Sequence, residues 1–333
     1  MASVAHLHAT RLFHRIATVS TDSHSHSPTR RAIAGFVRLR RYFGGFAPNT
    51  RATLWMLFSF CFFTVETIGT RMIGAELPIM QLVLVRSGAQ FLVLLPFLIR
   101  AGPSVFRTEH IGLHAVRGLL TIGGLATYFY SYTHLPLASA TSIGFARNLF
   151  IVAFAAIVLG EVVRWRRWTA TLVGLVGVIV IMRPGIEEVS PAYLVAVIGA
   201  AFGAAITLAT RALATREAPI QIMAYIAVFT TLGSLVPGIL VWQNPTAWQA
   251  LWLVVIGFIG PMGQYVAIRS FRLGEASALA AVDYARLLFA VAAGYLVFAE
   301  LPDRYTILGA AIIIISTLYI TIREARLARE RRT

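Results

Sequence analysis

Four arginines and two acids, Arg86, Arg117, Arg147, Arg286, Glu66 and Asp283, fall inside long apolar runs of the sequence. A charge near the middle of a bilayer costs on the order of 3 kcal/mol on insertion scales, so each of these needs a partner, a wet cavity or a task. Two of the arginines are related. The stretch IGFARNLFIVAFAAIVLGE, Ile143 to Glu161, returns at an offset of 139 as VDYARLLFAVAAGYLVFAE, Val282 to Glu300, with eight of nineteen residues identical. Apolar matches arise readily in such a chain. An arginine within an apolar helix and a glutamate closing it do not. Asp283 lies three residues before Arg286 on the same helical face, where the first copy has Gly144. Arg147 has no acid within a turn of its own helix, so any carboxylate partner must come from elsewhere, and of the pair it is better placed to meet a ligand.

Setting the four arginines against Glu66 and Asp283 leaves an excess of two positive charges. That excess points to an anionic or zwitterionic small molecule, with Arg147 and Arg286 approaching its carboxylate or phosphate. Arg86 has Gln90 one turn on, and Arg117 starts a polar stripe through Thr121, Gly124 and Tyr128. Tyr128 is the candidate stacking ring, while Tyr130 and Tyr132 are assigned to an outer aromatic belt. Glu66 and Asp283 are the candidate carriers of a coupling proton. Plainer readings stand beside these. Arg86 and the Asp283/Arg286 pair can be salt bridges, Arg117 can snorkel from near a span end, and the span-end glutamates Glu161 and Glu300 can bond helix termini.

The elements that must hold these residues follow from composition. Hydrophobic residues make up 58% of the chain and charged residues 13%, against roughly a quarter charged in soluble domains, which defines an all-α integral membrane protein. Apolar runs near the roughly 20 residues needed to cross a bilayer recur ten times from residue 52, including 111–132, 167–183 and 277–299. The net charge of +15 does not indicate a nucleic-acid partner, because the arginines are scattered between apolar segments and form no single stripe. Cys61 is the single cysteine, which excludes an intramolecular disulfide and a cysteine metal cluster. No metal, cofactor or catalytic residues are expected. A membrane enzyme acting on lipid or isoprenoid substrates is the rival class, and the spans offer neither a DxxD pair nor HExxH for it.

Arginine placement fixes the expected topology. With the N-terminus in the cytoplasm, 22 of the 29 arginines fall on the inner side and only Arg71, Arg183 and Arg304 outside. This bias predicts ten helices with both termini cytoplasmic, in the cell inner (plasma) membrane. Thr70-Arg71 returns as Thr210-Arg211 and Gln81 as Gln221, and LPLASA (Leu135 to Ala140) resembles LGEASA (Leu273 to Ala278). Five helices per copy is an odd number, so the repeats are inverted. The expected divisions are a disordered basic tail over 1–51, repeats over 52–183 and 184–322, and a basic tail over 323–333. In the first tail, His6, His8, His14, His24 and His26 lack the spacing of a metal tract.

The paired five-helix repeats, the LPLASA and LGEASA segments before the fourth helix of each, and the closing Gly160-Glu161 and Ala299-Glu300 resemble the EamA-type drug/metabolite transporter superfamily. Arg86 and Arg117-Gly118 are also similar to that group. The resemblance covers about Ala52 to Arg323. It implies a ten-helix bundle that moves small metabolites through a central cavity as a secondary transporter. The lipid bilayer, a proton or other coupling ion, and a homodimeric partner are the further associations expected.

Overall fold

The computed structural model describes residues 48–158, 165–183, 190–214, 216–273, 279 and 282–330. Most of the expected N-terminal tail, Gly160-Glu161 and the segment Gly274 to Ala278 lie outside the described residues. Among those described there is no strand. The helices are α1 (Pro48–Ile73), α2 (Ile79–Ala101), α3 (Ile111–His134), α4 (Leu137–Gly144), α5 (Arg147–Val158), α6 (Trp165–Met182), α7 (Pro191–Ala214), α8 (Pro219–Leu240), α9 (Ala247–Leu273), α10 (Arg286–Phe298) and α11 (Arg304–Glu330). Pro191 and Pro219 open α7 and α8, where a missing N–H leaves no bond unmade. α1 begins inside the expected tail, and α11 continues as helix to Glu330.

Seven of the ten expected spans qualify by length and apolarity: 50–73, 79–101, 137–157, 191–213, 220–240, 247–270 and 304–322. The other three are α3, α6 and α10. α3 is 24 residues long, but His114, Arg117, Thr121, Thr127 and Ser131 lower its hydropathy. The described apolar parts of α6 and α10 cover Trp168–Met182 and Arg286–Phe298, and residues 159–164, 274–278, 280 and 281 before them lie outside the described residues. Outward-facing Leu92, Leu119, Leu240, Leu296 and Ile315 are exposed, as expected of a surface solvated by lipid. Inside, Ser and Thr hydroxyls return to carbonyls one turn back, as Thr70 does to Glu66 and Thr230 to Ile226.

The two halves interleave. α1 packs on α9 and α3 on α7, α2 packs on α8 and α6 on α11, α5 packs on α7 and α10 on α1, and α3 packs on α8 and α9 on α2. Each of these pairs joins the first half to the second, and exchanging the halves turns every pair into itself or into another of the set. Small residues permit the closest approach. A Cβ on Gly177 of α6 would come within 2.8 Å of the Gly309 carbonyl oxygen on α11.

At the end of the bundle remote from Pro48, Arg71 at the close of α1 pairs with Glu300 and donates to the Leu135 carbonyl. Glu300 in turn accepts a bond from the Leu137 N–H at the start of α4, at 3.2 Å. Its carboxylate thus caps a helix of the other half. The residue before it, Ala299, sits in the left-handed region with φ 55°, where glycine is favoured. Ala299→Gly is therefore expected to stabilise the purified protein by about 1 kcal/mol. Thermal unfolding in detergent measures this, and an unchanged or lowered midpoint would show that the backbone strain carries no net cost.

Candidate functional site

The repeated stretches do not fold as uninterrupted helices. The chain turns tightly at Phe145–Ala146, between α4 and α5, and again at Tyr284–Ala285, just before α10. The same bonds reach back three residues in both copies. Ala146 N–H meets the Ile143 carbonyl at 2.9 Å, Asn148 meets Phe145 at 3.1 Å and Leu149 meets Ala146 at 2.9 Å. In the second copy Ala285 meets Val282 at 2.9 Å, Leu287 meets Tyr284 at 3.0 Å and Leu288 meets Ala285 at 2.9 Å. A short 3₁₀ stretch of this kind tightens the helix and re-aims the side chains after it. The first side chain so re-aimed is Arg147 in one copy and Arg286 in the other.

Both guanidinium groups border one cavity of about 250 Å³. Its walls come from α3 (Thr121, Thr127, Tyr128, Ser131, Tyr132), from α4 and its turn (Thr141, Gly144, Phe145), from α7 (Gly199, Gly203, Ile206) and from Asp283. Glycines on α7 make the room. A Cβ on Gly203 would press within 2.9 Å of the Arg147 Cδ, and one on Gly199 would come within 2.8 Å of the Thr127 hydroxyl.

Asp283 Oδ2 lies 3.6 Å from Arg147 Nη2, inside ion-pair range but beyond hydrogen-bonding distance. The carboxylate expected to share a face with Arg286 therefore reaches across the halves to the other arginine. The Tyr284–Ala285 turn interrupts the helix between Asp283 and Arg286, so continuous helical spacing does not govern their pairing. Arg286 lies over the Phe63 ring at 5.3 Å, and no described carboxylate stands within ion-pair distance of it. Arg147 thus has a carboxylate from another helix in ion-pair range and Arg286 an aromatic ring, where the sequence leaves Arg147 without an acid on its own helix.

Tyr128 borders the cavity with its ring 4.6 Å from that of Tyr132, and its buried hydroxyl has no partner. Tyr132, expected in an outer belt, also lines the cavity and meets the Thr141 hydroxyl at 3.0 Å. Tyr130 stacks on His134 instead. The cavity does not include the other candidates. Arg86 and Glu66 form a buried pair at 2.8 Å, with Gln90 accepting from Arg86 at 2.9 Å. Gly260 of α9 lies against that pair, and a Cβ there would come 2.6 Å from Arg86 Nε. Arg117 is buried and donates to the Thr210 hydroxyl at 2.8 Å. Among the described residues no group of His, Cys, Asp and Glu could hold a metal ion.

Interleaved apolar helices around a charged, tyrosine-lined cavity built by both halves form the architecture of a membrane carrier. The sequence profile of the EamA-like transporter family matches residues 50–183 and 190–322, and the chain belongs to that family. It is 30% identical over 272 residues to an S-adenosylmethionine uptake transporter of Rickettsia conorii, covering 82% of this chain and 92% of the relative. A riboflavin transporter of Vibrio cholerae is 28% identical over 288 residues, 85% of this chain and 96% of its own length. The pseudopaline exporter CntI of Pseudomonas aeruginosa is 28% identical over 273 residues, 80% and 94% of the two chains. A solved crystal structure of 23% identity shares the fold, with a TM-score of 0.56 over 84% of this chain and 99% of its own. The protein is thus a multi-pass membrane transporter of small metabolites and not an enzyme.

Proposed function

We propose that the chain spans the cell inner (plasma) membrane ten times as two inverted five-helix repeats, both termini cytoplasmic, and carries an anionic or zwitterionic metabolite by alternating access. The observation behind this reading is the placement of Arg147 and Arg286, each next after the same 3₁₀ turn of its repeat, on the wall of one cavity. Two guanidinium groups with one carboxylate leave the cavity net positive, so an anionic group fits there. Tyr128 and Tyr132 supply flat apolar surface for a ring. Asp283, in ion-pair contact with Arg147, is the proposed carrier of a coupling proton, because an anion that engages Arg147 leaves this acid without its counter-ion. Glu66, fixed by Arg86 in a buried pair, is less suited to that task.

Competition in proteoliposomes tests the reading. S-adenosylmethionine, named for the Rickettsia relative, joins a zwitterionic α-amino acid head to a nucleoside through a cationic sulfonium; its carboxylate is the group the arginines would take, and it is the first compound to load. Uptake should be saturable and competed by amino-acid and phosphate compounds that carry a ring. If neutral ring compounds compete fully and charged ones never do, the charged cavity is not the binding site.

A further inference from the structure

A second polar cluster joins the halves far from the cavity, at the end of the bundle that holds Pro48. His114, in the first turn of α3, is fully buried, with 1% of its surface exposed. Its Nε2 lies 2.5 Å from Glu217 Oε2, in the connection between α7 and α8. Thr108 donates to the other oxygen of Glu217. The imidazole stacks on Tyr225 of α8 with ring centroids 4.2 Å apart, and Tyr225 donates to the Phe106 carbonyl at 2.6 Å. Gln221, also on α8, donates to the Arg107 carbonyl. Every one of these contacts crosses from residues 106–114 of the first half to residues 217–225 of the second. The imidazole Nδ1 is buried with no partner.

The opposite end of the bundle carries a counterpart without an imidazole. There Gln249 donates to Glu76 at 2.6 Å, and Gln81, the repeat mate of Gln221, exchanges bonds of 2.9 and 3.1 Å with the backbone of Gln243. A carboxylate and a glutamine thus bridge the halves at both ends. At one end the carboxylate meets a titratable ring, and at the other an amide.

We infer that His114 and Glu217 form a proton-binding site that latches the halves together at the end of the bundle nearest Pro48, held tighter when the imidazole is charged. Any separation of α3 from α8 at that end must part the pair. A neutral ring donates one hydrogen bond from Nε2. The ionised carboxylate already lends charge to that bond, and adding a proton at the buried Nδ1 makes the donor cationic as well, turning the contact into a hydrogen-bonded ion pair. Burial works to raise the Glu217 carboxyl, but its bonds with Thr108 and His114 outweigh this and hold it below the usual carboxylate range. A carboxyl so lowered makes its full contribution above its unfolded value and loses it only as pH falls through the lowered one. Glu217 therefore stays ionised near neutrality, where imidazoles change charge. The other groups bearing on the pair are Tyr225 on α8 and His110 on its own segment. Arg107, Glu109, Arg211 and Arg216 nearby are exposed to solvent.

Amide hydrogen exchange on the full-length protein in lipid nanodiscs tests the site without any knowledge of the substrate. After correction for intrinsic rates, protection of the peptide carrying Glu217 to Tyr225 should rise about tenfold from about pH 8 to about pH 6. The peptide carrying Glu76 and Gln81 in the same sample should show no such change. His114→Gln keeps a donor toward Glu217 but cannot charge, and should abolish the rise. Glu217→Gln should abolish it independently, while His110→Gln should leave it intact. A flat profile in the native protein, or a rise that survives His114→Gln, would overturn the latch. Neither result depends on whether the cavity binds an anion.

Discussion

Transport by the Arg286→Ala protein is expected to fall about a hundredfold, with normal amounts of the protein in the membrane. A hydrogen bond to a charged group contributes roughly 1.5 to 3 kcal/mol, and about 1.4 kcal/mol corresponds to tenfold, so losing one strong contact accounts for a drop of this size. Arg147→Ala should cost less, because Asp283 already stands in ion-pair range of that guanidinium while no described carboxylate lies that close to Arg286. Saturation kinetics in proteoliposomes, with abundance checked by blotting, separates the two. Native transport by both variants would remove the arginines from the substrate site. A larger loss at Arg147 would mean that Asp283 releases it when substrate binds.

The largest effect on stability is expected at the buried pair of Glu66 and Arg86. Arg86→Met leaves the Glu66 carboxylate without its cation in a site walled by α1, α2 and the Gly260 backbone. Breaking a buried pair from one side typically costs about 3 to 5 kcal/mol, whereas replacing both partners by apolar residues is often neutral. Thermal unfolding in detergent should show a large drop for Arg86→Met and recovery in the Arg86→Met/Glu66→Leu double variant. Failure of the double variant to recover would give the pair a role beyond mutual neutralisation.

The repeat, the helical class and the positions of most spans are legible in the sequence, because long apolar runs and an offset of 139 survive without any knowledge of packing. α3 is legible as a long helix even though its polar residues lower its hydropathy. Partners across the bundle are not. Arg147 and Asp283 are far apart in sequence, Glu66 and Arg86 belong to different helices, and His114 meets Glu217 at a separation of 103 residues. His114 in particular gives no signal in the sequence, since a histidine near a helix start carries no motif. The 3₁₀ turns are also hard to see there, because Phe145-Ala146 and Tyr284-Ala285 contain neither proline nor glycine to mark them. Tyr132 stands one turn beyond Tyr128, so helical spacing itself puts both rings on one face, against the belt position expected for Tyr132, and α3 brings both to the cavity wall.

Asp283 stands where the first copy has Gly144, and that single difference has an energetic consequence. If the halves are inverted as proposed, two identical copies would make the states open to either side equivalent by a two-fold axis and therefore degenerate, with neither favoured at rest. Each residue that differs between the copies lifts the degeneracy. Asp283 does so inside the cavity, and the imidazole facing Glu217, where the other end has an amide, does so at the rim.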